Sequence, residues 1–115
     1  MPPNETLLNR VRSALPRDVD VQEKRMFGAI TFMVRGKMCV SVGENRIMCH
    51  IDPALHDSSL EREGCRTVVM KGRQYRGFVY IDAGALKTER DLEHWVALAL
   101  DYNKRTKISS REQRS

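Results

Sequence analysis

No stretch of this chain stays apolar for the length needed to cross a bilayer, and its N-terminus lacks a basic segment followed by an apolar run. Neither a membrane span nor a secretory leader is expected. Cysteine is scarce as well. Cys39, Cys49 and Cys65 form no CxxC pair and leave an odd count, which fits a reducing compartment better than a disulfide framework. Cytoplasm is the location this predicts. The signatures of cofactor chemistry are also missing: the chain has no P-loop, dinucleotide fingerprint, nucleophile elbow or HExxH helix. Carboxylates do not pair up either, since Glu61 and Glu63 project in different directions on a helix. Glu89, Asp91 and Glu93 read as a solvated first turn complementing its dipole. No catalytic residue, metal or cofactor is therefore assigned, and an enzyme is not expected.

Positive charge is present, but most of it sits at one end. The formal net charge is +5 over 115 residues. From Lys104 to Ser115 five cations (Lys104, Arg105, Lys107, Arg111, Arg114) stand against Glu112, giving +4 and leaving +1 for everything before. Residues 1–103 thus read as a single, nearly neutral domain able to bury its own core, and 104–115 as a basic, disordered tail.

The body opens with an amphipathic helix: Asn4 can cap it, Leu7, Leu8, Val11 and Leu15 share one stripe, and Pro16 ends it. Val19 to Lys24 is expected as an edge strand. Ile30 to Val34, Met38 to Val42 and Ile47 to Ile51 follow as strands, joined by Arg35-Gly36-Lys37 and Gly43-Glu44-Asn45. Burial then selects a register, because a one-residue slip turns every side chain over. Setting Val34 opposite Met38, Phe32 opposite Val40, Ile30 opposite Val42, Val42 opposite Ile47 and Val40 opposite Cys49, with Ile51 beside Met38, collects the apolar residues on one face. The reverse face would show Thr31, Met33, Cys39, Ser41, Met48 and His50.

Asp52 and Pro53 start a second helix in which Leu55 and Leu60 can dock, and Gly64 ends it. Arg66 to Lys71 and Tyr75 to Asp82 are two more strands around Gly72-Arg73-Gln74. Thr88 with Asp91 forms a capping box for the strongest helix, whose inward face holds Leu92, Trp95, Val96, Ala99 and Tyr102. The order α-β(3-4)-α-β(2)-α predicts an α+β domain with two layers, an antiparallel sheet covered by helices on one side.

One constellation from this map bears on chemistry. Cys39 falls beside His50, and a thiol and an imidazole across a hairpin could make a nucleophile pair. It lacks a third orienting group, so two buried neutral side chains are the better reading. Adding His56 or Cys65 for zinc fails on spacing.

The densest information lies in Arg25 to Met38, reading RMFGAITFMVRGKM. Met26 and Phe27 read as core fillers beside Gly28, which can turn the chain at positive φ. Gly36 and Lys37 mark the next turn. Together with Gly72-Arg73, the run Arg76-Gly77-Phe78-Val79-Tyr80-Ile81-Asp82 and Trp95-Val96, this stretch resembles the N-terminal domain of the TfoX/Sxy competence-regulator family from roughly Val19 to Tyr102. Ala29 stands where many members carry a second glycine. The resemblance implies a layout like the one read from the pattern, grouped near the secretion-chaperone fold. It also implies a homodimer and a role in competence-type transcriptional regulation.

Three functional readings follow. The first is a regulatory or adaptor domain that binds a protein partner through Met33 and Met48, with Arg25, Arg73 and Arg76 orienting an acidic partner. The second is a nucleic-acid-binding accessory using Arg66, Lys71, Arg73 and Arg76, the tail cations Lys104, Arg105 and Lys107, and Tyr75 for stacking. The third is a small thiol enzyme at Cys39.

Overall fold

A computed structural model describes residues 3–26 and 28–106; Phe27 and Lys107, both named above, lie outside the described residues. Helix α1 (Glu5–Ala14) starts where expected, with the Asn4 side chain accepting from the Leu7 N–H at 3.0 Å. Its apolar stripe is buried. Strands β1 (Val21–Met26), β2 (Ala29–Val34), β3 (Lys37–Val42) and β4 (Arg46–His50) follow as antiparallel neighbours. A short turn of 3-10 helix at Pro53–Leu55 runs into α2 (His56–Ser59), then β5 (Cys65–Met70), β6 (Arg73–Asp82) and α3 (Glu89–Arg105). The six strands form one sheet in the order β1-β2-β3-β4-β6-β5, so β1 and β5 are its edges. Residues of α1 and α3 join inward residues of the sheet in a single apolar core that includes Leu8, Val11, Phe32, Ile47, Trp95 and Val96. The α+β reading holds, with helices packed on one face.

The hairpin register follows burial except at one point. Ile30 opposes Val42, Phe32 opposes Val40, Val42 opposes Ile47 and Val40 opposes Cys49, as the apolar alternation requires. Val34, however, opposes Lys37 rather than Met38, and Met33 opposes Met38. The cause is the turn. Arg35 and Gly36, at φ 54° and 77°, form a two-residue connection, so the pairs beside it are one step out of phase with Phe32 and Val40. Cys39 is the surplus residue, left unmatched in a bulge. Met38 is thereby turned out of the core, and Cys39, fully buried, takes its place.

Three further boundaries differ from expectation. β1 begins at Val21 and reaches Met26, which is 37% exposed and not a core filler. Leu55, expected to dock, is 38% exposed, because its helix is only one turn long. Met70 opposes Arg73, so the last hairpin turns on Lys71-Gly72, at φ 54° and 75°, and not on Gly72-Arg73-Gln74. Lysine in this left-handed conformation is strained, whereas asparagine tolerates it. Lys71→Asn should therefore stabilise the domain by about 0.5 kcal/mol, read as a small rise in the urea midpoint at unchanged slope.

Helix α3 runs through Lys104 and Arg105, both read from the sequence as tail residues. Arg105 pairs with Asp52 at 3.1 Å and with Asp101 at 3.0 Å. The capping box of Thr88 and Asp91 is present. The C-terminal end of α3 is latched to the sheet by Asn103, a buried residue the helical pattern did not mark. Its Nδ2 donates to the Val34 carbonyl at 3.0 Å and its Oδ1 accepts from Arg35 Nη1 at 3.1 Å. Lys37 Nζ donates to the Asn103 and Thr106 carbonyls, where the helix dipole favours a cation. Asn103→Ala leaves the buried Val34 carbonyl without that donor and should cost about 2 kcal/mol, measured by denaturant unfolding.

Candidate functional site

Strand alternation puts the sites of interest on the sheet face turned away from the helices. Residues directly opposite in an antiparallel ladder share a face. One transverse row crosses all six strands: Lys24, Thr31, Ser41, Met48, Tyr80 and Arg66. Thr31 and Ser41 are buried in it, their hydroxyls hydrogen-bonded to each other. This satisfied polar pair floors a groove of about 510 Å³ whose walls include Met26, Met38, Met48, Met70 and Tyr80. Met26 comes from one edge strand and Met70 from the other, so the face is concave.

Two features shape that concavity. The β5–β6 ladder skips from Thr67 opposite Val79 to Val68 opposite Tyr75, leaving Arg76, Gly77 and Phe78 as a bulge on β6. Bulges bend and twist the strand that carries them. At the same end His50 stacks on Phe78, with ring centroids 4.1 Å apart, and meets the edge of Tyr102 at 5.1 Å. These three rings lie beyond the lining of the groove. At the other end the groove stays open beside Gly28, Gly43 and Asn45, and the Arg46 guanidinium lies 3.5 Å from the centre of the Tyr80 ring. Gly28 holds φ 77°, as its turn requires.

The structure brings some predicted partner residues together and separates others. Met48 lines the groove; Met33 stands on the same face, opposite Met38. Arg73 opposes Met70 and shares its face. Arg25 does not belong there. It opposes Ile30, a core residue, so its side chain emerges on the helical face. Placing the first strand at Val19 to Lys24 hid this parity. Arg76 is held by Asp57 through two contacts of 3.1 Å, and the guanidinium keeps the Asp57 carboxyl below its usual range. Met26, which reads from the sequence as a core filler, and Met38, Met70 and Tyr80, which the sequence pattern does not mark for this face, also line the groove. The Cys39 bulge turned Met38 around, and no local pattern relates Met26 to Met70 across the whole sheet.

Of the remaining family-like positions, Trp95 is a core residue with Arg62 over its ring, and Gly36 lies in the tight turn already described. Gly77 is buried at φ 93°. For nucleic acid the hairpin cations are partly neutralised: Arg66 bonds Asp82 at 2.6 Å and Arg76 bonds Asp57. Lys71 and Arg73 make no ion pair among the described residues.

The proposed thiol pair does not assemble. Cys39 lies in the core, and the His50 ring is taken up by stacking on Phe78 and by the edge of Tyr102, with no hydrogen bond between thiol and imidazole. Burial pushes the Cys39 thiol up to about 12 and Cys65 up to about 11; Cys49 is raised too, by burial first and then by the two neighbouring thiols. Burial also pushes His50 down. A neutral thiol is a poor nucleophile. Among the described residues no three His, Cys, Asp or Glu side chains converge as a metal site needs, and no helix is long and apolar enough to cross a membrane.

No curated protein and no solved structure shows a significant match to the chain. A family model does. The match covers residues 14–102, from the end of α1 through most of α3 and thus the whole sheet with its groove, and the chain belongs to the TfoX N-terminal domain family.

Proposed function

We propose that this domain is a non-catalytic regulatory module that works by protein contact through its concave, methionine-walled sheet face. Membership of the TfoX N-terminal domain family supports a regulatory, competence-related role. One observation carries the choice of surface. Among the described residues four large apolar side chains are exposed, and two of them, Met26 and Met70, stand on opposite lips of a single groove. Exposed apolar surface gathered in one concavity marks an interaction site, and thioether side chains repack to suit a partner. Met48→Asp should leave the circular dichroism spectrum unchanged and abolish capture of protein partners from cell extract. Undiminished capture by a folded variant would reject the surface.

The nucleic-acid reading retains Lys71 and Arg73 at the hairpin tip as its basis. It predicts binding that falls steeply with salt, whereas contact through the methionine groove persists. A salt titration of the captured material separates the two.

A further inference from the structure

The strands that floor the groove have no backbone to offer a visitor: β2, β3, β4 and β6 are each paired on both sides. Anything docking there meets side chains only. An extended segment would carry its own N–H and C=O groups unpaired into apolar walls, which is costly. A helix closes those bonds within itself. Methionine walls drawn from four strands suit a helical ridge of branched apolar side chains, as in other helix-in-groove interfaces.

Charge narrows the choice of helix. Lys24 and Arg66 close the two ends of the transverse row, Arg46 covers Tyr80, and Arg73 stands beside Met70. Against these four cations are Glu44 at the rim and Asp82, which bonds Arg66. The concave face is cationic around an apolar centre. We propose that it takes an amphipathic helix of a partner protein, with acidic residues flanking the helix's apolar stripe. This rests on the reading of the concave face as a contact surface and specifies what that surface binds.

The test uses the full chain and three labelled synthetic peptides of equal length, all with leucine at i, i+3, i+4 and i+7. One is filled with glutamate, one with lysine, and one with glutamate plus two central prolines. Fluorescence anisotropy should show the glutamate peptide binding at least about tenfold more tightly than either of the others. Met70→Glu, at a rim position 49% exposed where folding is not at stake, should weaken that binding about tenfold. Arg46→Glu should shift preference toward the lysine peptide. Equal binding of the lysine or proline peptide, or no binding of any, overturns the inference. If no peptide binds while partner capture still depends on Met48, the acidic helix fails and the contact surface stands. If Met70→Glu instead splits a dimer in sedimentation, a second copy occupies the groove and the inference falls.

Discussion

Gly77→Ala is expected to destabilise the domain by about 3 kcal/mol, the sum of left-handed backbone strain and crowding in a packed site. Gly77 is buried at φ 93°, and a Cβ there would lie 3.2 Å from the Ile51 carbonyl oxygen and 3.2 Å from Pro53 Cγ. Neither neighbour can withdraw easily. Gly77's own carbonyl accepts from the Ile51 N–H at 2.8 Å, and Pro53 is held in the short 3-10 turn. A thermal melt should show a drop of roughly 10 °C. Gly36→Ala provides the control, with a similar φ of 77° and nothing within 4 Å of the added atom. It should cost only the strain, about 1 kcal/mol. Equal losses at the two positions would show that the contacts around Gly77 contribute nothing.

His56→Ala should cost a comparable amount, about 3 kcal/mol, and should also flatten the pH dependence of stability. The imidazole is buried between α2, β5 and β6. Its Nδ1 accepts from the Gly77 N–H at 2.9 Å, which leaves the proton on Nε2, donating to Thr67 Oγ1 at 2.7 Å. Both ring nitrogens are committed to the neutral form. Burial lowers its pKa from the ordinary 6.5, the Arg76 guanidinium lowers it further, and Asp57 opposes them. A folded value below the unfolded one means that the unfolded chain binds more protons in between. The contribution is full above 6.5 and is lost as pH falls from there toward the folded value. Chemical denaturation from pH 7.5 down to 5 should show this decline in the wild type and a shallower one in His56→Ala. The remainder comes from His50 and His94, which burial also pushes down. A wild-type slope unchanged by the substitution would remove His56 from the account.

Much of the sheet was legible because burial and alternation agree. Phe32 opposite Val40 and Val42 opposite Ile47 follow from apolar residues two apart on strands joined by short turns. The capping box at Thr88 and the Asn4 cap were visible for the same local reason. The Cys39 bulge was not, because Met38 and Cys39 are both apolar and either can fill the inward position; only the turn's length decides. His56 and Asn103 are buried polar residues whose partners, Gly77 and Val34, lie 21 and 69 positions away. Pattern along the chain carries no trace of such pairings. The groove failed to show for a third reason. Its two lips belong to opposite edges of the sheet, and curvature on that scale comes from a bulge and accumulated twist. Met48 was found by parity alone, whereas Met70 needed the shape.

All three sulfhydryls sit inside the fold with ionisation suppressed. Alkylating reagents, which are attacked by the thiolate, can react with them only when the molecule opens. The rate at which label accumulates is thus a clock for unfolding, and oxidants that disable exposed thiols elsewhere should leave these three cysteines untouched while the fold is intact.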